Sequence, residues 1–204
     1  MIIMAIVSTR KLKSLNELSS KHIQVIEEFE KLLEISISGL TMADIAAKLK
    51  VSLRTLYEIA PSKEHLITAT MNRVLTNIGQ EASASIKGIQ SPLSKLKMYI
   101  EIGYAAVGPR IKKFSTDLSK VRGVGEMADY HRDYFVARIE ELLAEAIASD
   151  EIEDTDTHVV AIALGDFPRL LSDDFFEGKT KLKNTPEASA HLVADLILDS
   201  LERK

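Results

Sequence analysis

The chain has 204 residues, 46% apolar and 27% charged, as in an ordinary globular protein of one or two domains. It has no cysteine, which excludes disulfides, thiolate metal sites and cysteine nucleophiles. Net charge is −4, so no global positive excess points to nucleic acid, yet residues 1–80 carry ten Lys/Arg against eight Asp/Glu and the rest sixteen against twenty-two. The opening "MIIMAIVSTRKLK" has its apolar run ahead of its basic residues and is too short for a signal peptide. No apolar run approaches the roughly 20 residues of a membrane span. A cytoplasmic protein without membrane contact is expected.

Helical periodicity recurs along the chain, and strand patterns are almost absent. Ile23, Ile26, Glu30, Leu33 and Ile37, with Phe29 beside them, mark one face of a first helix. Thr41 is a good N-cap for a second, with Asp44 three residues on and Met42, Ile45, Ala46 and Leu49 inward. Lys50 and Val51 make a turn, and Ser52 caps a third helix. Pro61 stops that helix after about two turns, because proline lacks a donor and disfavours helical geometry at Ala60. Ser62 caps a long fourth helix, with Leu66, Ile67, Thr70, Met71, Val74, Leu75 and Ile78 inward, running to about Ile86. Gly88 and Pro92 punctuate its end. Further helices are expected over 96–107, briefly after Pro109, over 126–149 up to the acidic turn "SDEIEDTDT", over 158–176 and over 186–201. The fold class is all-α.

A two-turn helix is too short to stand alone. Joined to its predecessor by about three residues, it has the spacing of a helix-turn-helix, whose second helix enters the DNA major groove. Leu56 turns inward, and Leu53, Arg54, Thr55, Tyr57 and Glu58 are expected on the outward arc. Ser62 and Lys63 stand at the start of the next helix, where free backbone amides favour a phosphate. The bland reading is an ordinary solvated surface, since the helix-turn-helix shape also occurs in proteins that never touch DNA.

The stretch "GLTMADIAAKLKVSLRTLYEIAPSKEHLI" resembles the DNA-binding signature of the tetracycline-repressor (TetR) family of transcriptional regulators. The match runs through Gly39, Thr41, Ile45–Ala46, Val51–Ser52, Thr55–Leu56–Tyr57, Ser62–Lys63–Glu64 and Leu66, over roughly residues 20–70. The resemblance implies an N-terminal three-helix DNA-binding domain, 1–67 with 1–19 as an arm, and a ligand-binding and dimerisation domain over 68–204. It implies that Thr55, Tyr57 and Lys63 contact phosphates, with Thr41 near the backbone, and that Leu53 and Arg54 approach base edges. Three positions depart from the family pattern. Lys50 stands where glycine is usual, and Ala60 where phenylalanine is usual. Glu58 replaces a histidine or aromatic residue, and either accepts a hydrogen bond from cytosine N4 or repels the phosphates.

In the second half, Tyr99, Tyr104, Met127, Tyr130, His131 and Tyr134 are candidate lining for an effector pocket, which requires apolar walls and a few polar groups. "HVVAIALGDF" is apolar on all sides, which in a surface helix signals a second partner. Val159, Ala163, Phe167, Leu170, Leu192 and Leu196 are therefore expected in a homodimer interface, in the two helices that close the fold in the family. Enzyme readings find no support. No Glu stands three residues before any of the five histidines, as a di-iron carboxylate bundle requires. There is no phosphate-cradling glycine loop, and no metal or cofactor is implied. The sequence thus reads as a homodimeric regulator, a repressor that binds double-stranded DNA and answers to a small molecule. The alternative is a sensor or interaction protein of the same fold that reads no operator.

Overall fold

A computed structural model of the chain describes residues 18–33, 37, 39–104, 121, 123–176 and 178–203. The expected arm up to residue 17 and the short helix expected after Pro109 lie outside the described residues. Eight helices are described: α1 (Ser20–Leu33), α2 (Met42–Lys48), α3 (Leu53–Ile59), α4 (Lys63–Ser85), α5 (92–104), α6 (Val124–Ala148), α7 (Thr157–Phe176) and α8 (Pro186–Leu201). The described residues up to Val74, with 121 and 123–128, form one compact unit, and 75–104 with those from Asp129 onward form another. α4 contributes its first half to one unit and its second half to the other.

The first unit is organised by short-range caps. α1 buries Val25, Ile26, Phe29 and Leu33. The helix is turned slightly from the expected register, so that Val25 and Phe29 face inward as an i,i+4 pair while Ile23 and Glu30 lie at the edge. At α2 the Thr41 hydroxyl oxygen accepts from the Asp44 N–H at 3.2 Å, and the Asp44 carboxylate accepts from the Thr41 N–H at 2.9 Å. This is the reciprocal capping box that the spacing predicts. Ser52 caps α3 by accepting from the Thr55 N–H at 3.1 Å. Ala60 is extended, as expected before Pro61, and ends the helix.

α2 stops in a Schellman motif: Val51 N–H donates to Ala46 C=O at 3.0 Å and Lys50 N–H to Ala47 C=O at 3.2 Å. The motif puts Lys50 at φ 55°, in the left-handed region where its Cβ is disfavoured. Lys50→Gly is accordingly expected to stabilise the protein by about 1 kcal/mol. Chemical denaturation tests this, and a midpoint that fails to rise would mean that the lysine stem offsets its own strain.

The second unit is knitted around the acidic turn after α6. Glu151 accepts from the Leu93 N–H at 2.7 Å and from the Ser91 hydroxyl at 2.9 Å, capping α5. Ile152, fully buried, forms an isolated antiparallel bridge with Glu202 just beyond α8. One turn thus fixes the start of one helix and the end of another. α7 runs unbroken through Pro168, which cannot donate to the carbonyl of Leu164. The Tyr104 hydroxyl donates to that carbonyl instead, so the vacancy left by the proline is filled from α5. Close approach of α6 and α7 requires Gly165, since a Cβ there would lie 2.4 Å from Val136 Cγ2. The core consists of Leu96, Tyr99, Ile139, Leu142, Leu143, Leu164 and Leu198, with their neighbours.

Candidate nucleic-acid interface

α3 is packed along one face and open along the other. Thr55, Leu56 and Ile59 face inward, an i, i+1, i+4 stripe that leaves Leu53, Arg54, Tyr57 and Glu58 exposed. Thr55 was expected on the outward arc and is instead 9% exposed. Its hydroxyl sits 2.8 Å from that of Ser52, so the cap and the core both draw it inward. Arg54 is the most open of the group, with 88% of its side chain exposed. Tyr57 presents its ring to solvent at 53%. The open arc therefore has one guanidinium, one phenol and one carboxylate over an apolar base at Leu53.

Arg54 and Glu58 are not independent. Arg54 Nε donates to Glu58 Oε1 at 2.9 Å, one helical turn apart. The other carboxylate oxygen lies 3.5 Å from His22 Nε2 of α1. The Arg54 hydrogen bond, with a smaller contribution from His22, holds the Glu58 carboxyl below its usual range. The Arg54–Glu58 spacing is visible in the sequence as an i,i+4 pair, whereas no local signal links Glu58 to His22.

Lys63 opens α4. Its ammonium donates to the carbonyls of Ile37 at 2.8 Å and Leu40 at 2.9 Å, in the connection between α1 and α2. Lys63 thus clamps that connection to the start of α4, with a third N–H to spare. The Ser62 hydroxyl oxygen accepts from the His65 N–H at 3.3 Å, as an N-cap does. Thr41 is exposed, but its hydroxyl donates to Asp44 at 2.6 Å. Of the seven residues expected at DNA, Leu53, Arg54, Tyr57, Glu58 and Thr41 lie at the surface, Lys63 is half-buried and Thr55 is buried.

No protein-family model and no curated protein sequence matches the chain. Solved structures match nearly end to end. A transcriptional regulator from Cytophaga hutchinsonii gives a TM-score of 0.75 at 16% identity, over 91% of this chain and 100% of that one. A TetR transcription regulator from Haloarcula marismortui gives 0.75 at 12% identity, over 91% and 100%. This chain has the TetR fold. The fatty acid degradation regulator FadR from Bacillus halodurans is similar as well, with a TM-score of 0.70 at 13% identity, over 92% and 100%.

In the second unit of this TetR fold, two of the aromatic residues expected around a pocket, Tyr99 and Tyr104, both pack on Phe135, and the others lie nearer the surface. Tyr99 and Tyr104 belong to the core. Tyr99 stacks on Phe135 at 5.2 Å between ring centroids, and burial pushes its phenol up to about 12. Tyr104 meets the His191 ring edge-on at 5.1 Å. Tyr130 and Tyr134 are half-exposed, because Val136, Ile139 and Leu143 set the inward face of α6 and put these two on other sides. His131 is partly buried against Tyr130, and that burial lowers its pKa. Met127 is partly buried and falls in the first unit. A groove of about 260 Å³ between α6 and α7 is lined by Asp129, Arg132, Asp166, Arg169 and Leu170. Its charges are paired, Arg132 with Asp166, and Arg169 with Asp129 at 2.8 Å, so it lacks the apolar walls expected of an effector pocket.

The expected dimer residues are mostly open. Val159, Leu170, Leu192 and Leu196 are each more than half exposed, Ala163 is exposed and Phe167 is half-buried. On α7, Val159, Ala163 and Leu170 follow a helical stripe; on α8, Leu192 and Leu196 are one turn apart. The two helices pack against each other. Among the described residues, no helix is long and apolar enough to cross a membrane.

Proposed function

We propose that the chain is a ligand-responsive, DNA-binding transcriptional repressor that acts as a homodimer. The observation that carries this reading is the two-turn helix α3, which is capped, packed against its unit and left open along Leu53, Arg54, Tyr57 and Glu58. Such a helix contributes little to a core and fits a groove about 12 Å wide. The regulators that share the fold, two named for transcription and one for fatty acid degradation, support the same assignment.

Arg54 and Leu53 face the base edges, while Tyr57, Thr41 and Lys63 serve the phosphates, which position the protein without reading sequence. Thr55 supports the helix from within and contributes through its cap. The open leucines of α7 and α8 pair two copies, so that two recognition helices meet successive major grooves about 34 Å apart. The effector is a small molecule bound by the ligand-binding and dimerisation domain, 68–204, with 1–67 as the DNA-binding domain. α4, a single helix of 23 residues shared by both units, transmits the change. A ligand that favours a different spacing of the recognition helices releases DNA by its difference in affinity for the two states. No catalytic step is part of this reading.

The test is selection of bound fragments from random and genomic DNA by the full chain. A palindromic site with half-sites about 10 base pairs apart is the expected outcome. Recovery of DNA without any shared sequence would overturn operator reading and leave a sensor of the same fold.

A further inference from the structure

We propose that His22, Glu58 and Arg54 form a relay that aims Arg54 at a guanine, so that α1 takes part in base readout through Glu58. The inference rests on the operator-binding reading above and names the base that the site selects. Its basis is the division of labour within each side chain. Arg54 gives only Nε to Glu58, at 2.9 Å, and has no other partner among the described residues. Its two terminal nitrogens are left for the outward direction, where guanine offers O6 and N7 to a bidentate donor.

Glu58 accepts from Arg54 through Oε1, and its Oε2 lies 3.5 Å from His22 Nε2. A carboxylate so placed is better suited to holding a guanidinium than to accepting from cytosine N4. His22 itself is largely buried, with 13% of its side chain exposed. Its Nδ1 is buried without a hydrogen-bond partner among the described residues. Its other ring nitrogen, Nε2, is the one that faces Glu58. The imidazole of α1 thus stands beside the carboxylate that accepts from Arg54 Nε and restrains it. Restraint matters because a free Arg loses rotamer freedom on binding. Glu58 and His22 are positioning residues here; only Arg54 touches the base.

The experiment compares wild type with Arg54→Ala, Glu58→Ala, Glu58→Gln, His22→Leu and His22→Gln. Each is measured on the selected duplex and on duplexes with single G·C to A·T changes. Wild type is expected to prefer one guanine by roughly 5- to 100-fold, and Arg54→Ala to lose that preference. Glu58→Ala should shrink it about 2- to 10-fold, the factor equivalent to one restrained side chain. Glu58→Gln, which keeps an acceptor for Arg54 Nε, should fall between the two. His22→Leu should reduce the preference, and His22→Gln, whose amide nitrogen replaces Nε2, should restore it. Circular dichroism confirms that each variant folds.

A guanine preference unchanged in Glu58→Ala, with affinity rising on all duplexes alike, would overturn the relay and leave Glu58 as a repelling charge. Equal losses in both His22 variants would remove His22 from it. A selected site with no guanine that depends on Arg54 overturns the proposal while operator reading stands. A selection that yields no site at all overturns both.

Discussion

Leu196→Glu is expected to convert a dimer into a folded monomer and to weaken operator binding with it. Leu196 lies on α8 with 63% of its surface exposed, one turn from Leu192, and beside the open stripe of α7. Single exposed leucines require no explanation, but a stripe shared by two packed helices does. In an isologous interface each substitution acts twice, since the same patch serves both partners. Each copy loses about 1.5–3 kcal/mol of apolar burial and brings an unpaired carboxylate to the interface. A rise of about 1,000-fold or more in the dimer dissociation constant follows, equivalent to ~4 kcal/mol. Sedimentation at several concentrations reads this directly. The exposed position should leave the monomer's helix content unchanged. A wild type that sediments as a monomer would remove the dimer, and so would a variant that dimerises as well as wild type. The predicted loss of DNA affinity follows because a monomer reads one half-site.

Local chemistry was legible in the sequence; contacts between distant segments were not. The caps at Thr41 and Ser52 follow from residues three apart, and α8 begins and ends where its proline and its last leucine put it. The strained turn at Lys50 could be read because that position normally demands a residue without Cβ. Thr55 was misplaced for a physical reason. On so short a helix the buried arc is set by which side chains meet the neighbouring helices, and it took in the residue adjacent to Leu56.

The surroundings of the tyrosines were illegible for a different reason. Residue type suggested a common lining, but Tyr104 is committed to the carbonyl that Pro168 leaves vacant, 60 residues away, and Tyr130 and Tyr134 lie off the inward face of α6. Nothing in a linear pattern connects a proline in one helix to a phenol in another. The His22–Glu58 contact is invisible for the same reason. It exists only once α1 and α3 share a unit.

Lys63→Met should show whether the start of α4 is a phosphate contact, a structural clamp or both. The ammonium already donates to Ile37 and Leu40, a role that the sequence did not disclose. Hydrogen bonds from a charged donor contribute about 1.5–3 kcal/mol, and a methionine of similar length leaves the two carbonyls without it. The Ile37 carbonyl retains the Leu40 N–H at 3.1 Å, which limits the loss at that end. A net cost of about 2 kcal/mol is expected, which in a chain of this size lowers the thermal midpoint by roughly 4–8 °C. Because the same connection leads into α2, the substitution also loosens the helix pair that presents α3. The phosphate role adds a separate signature: loss of one cationic contact lowers the slope of log affinity against log salt by about one unit per half-site. Stability and salt slope therefore report different bonds of one side chain. A lower midpoint with an unchanged slope would make Lys63 a clamp alone. An unchanged midpoint would mean that water replaces the ammonium on both carbonyls at no cost, and that the clamp contributes nothing to the fold.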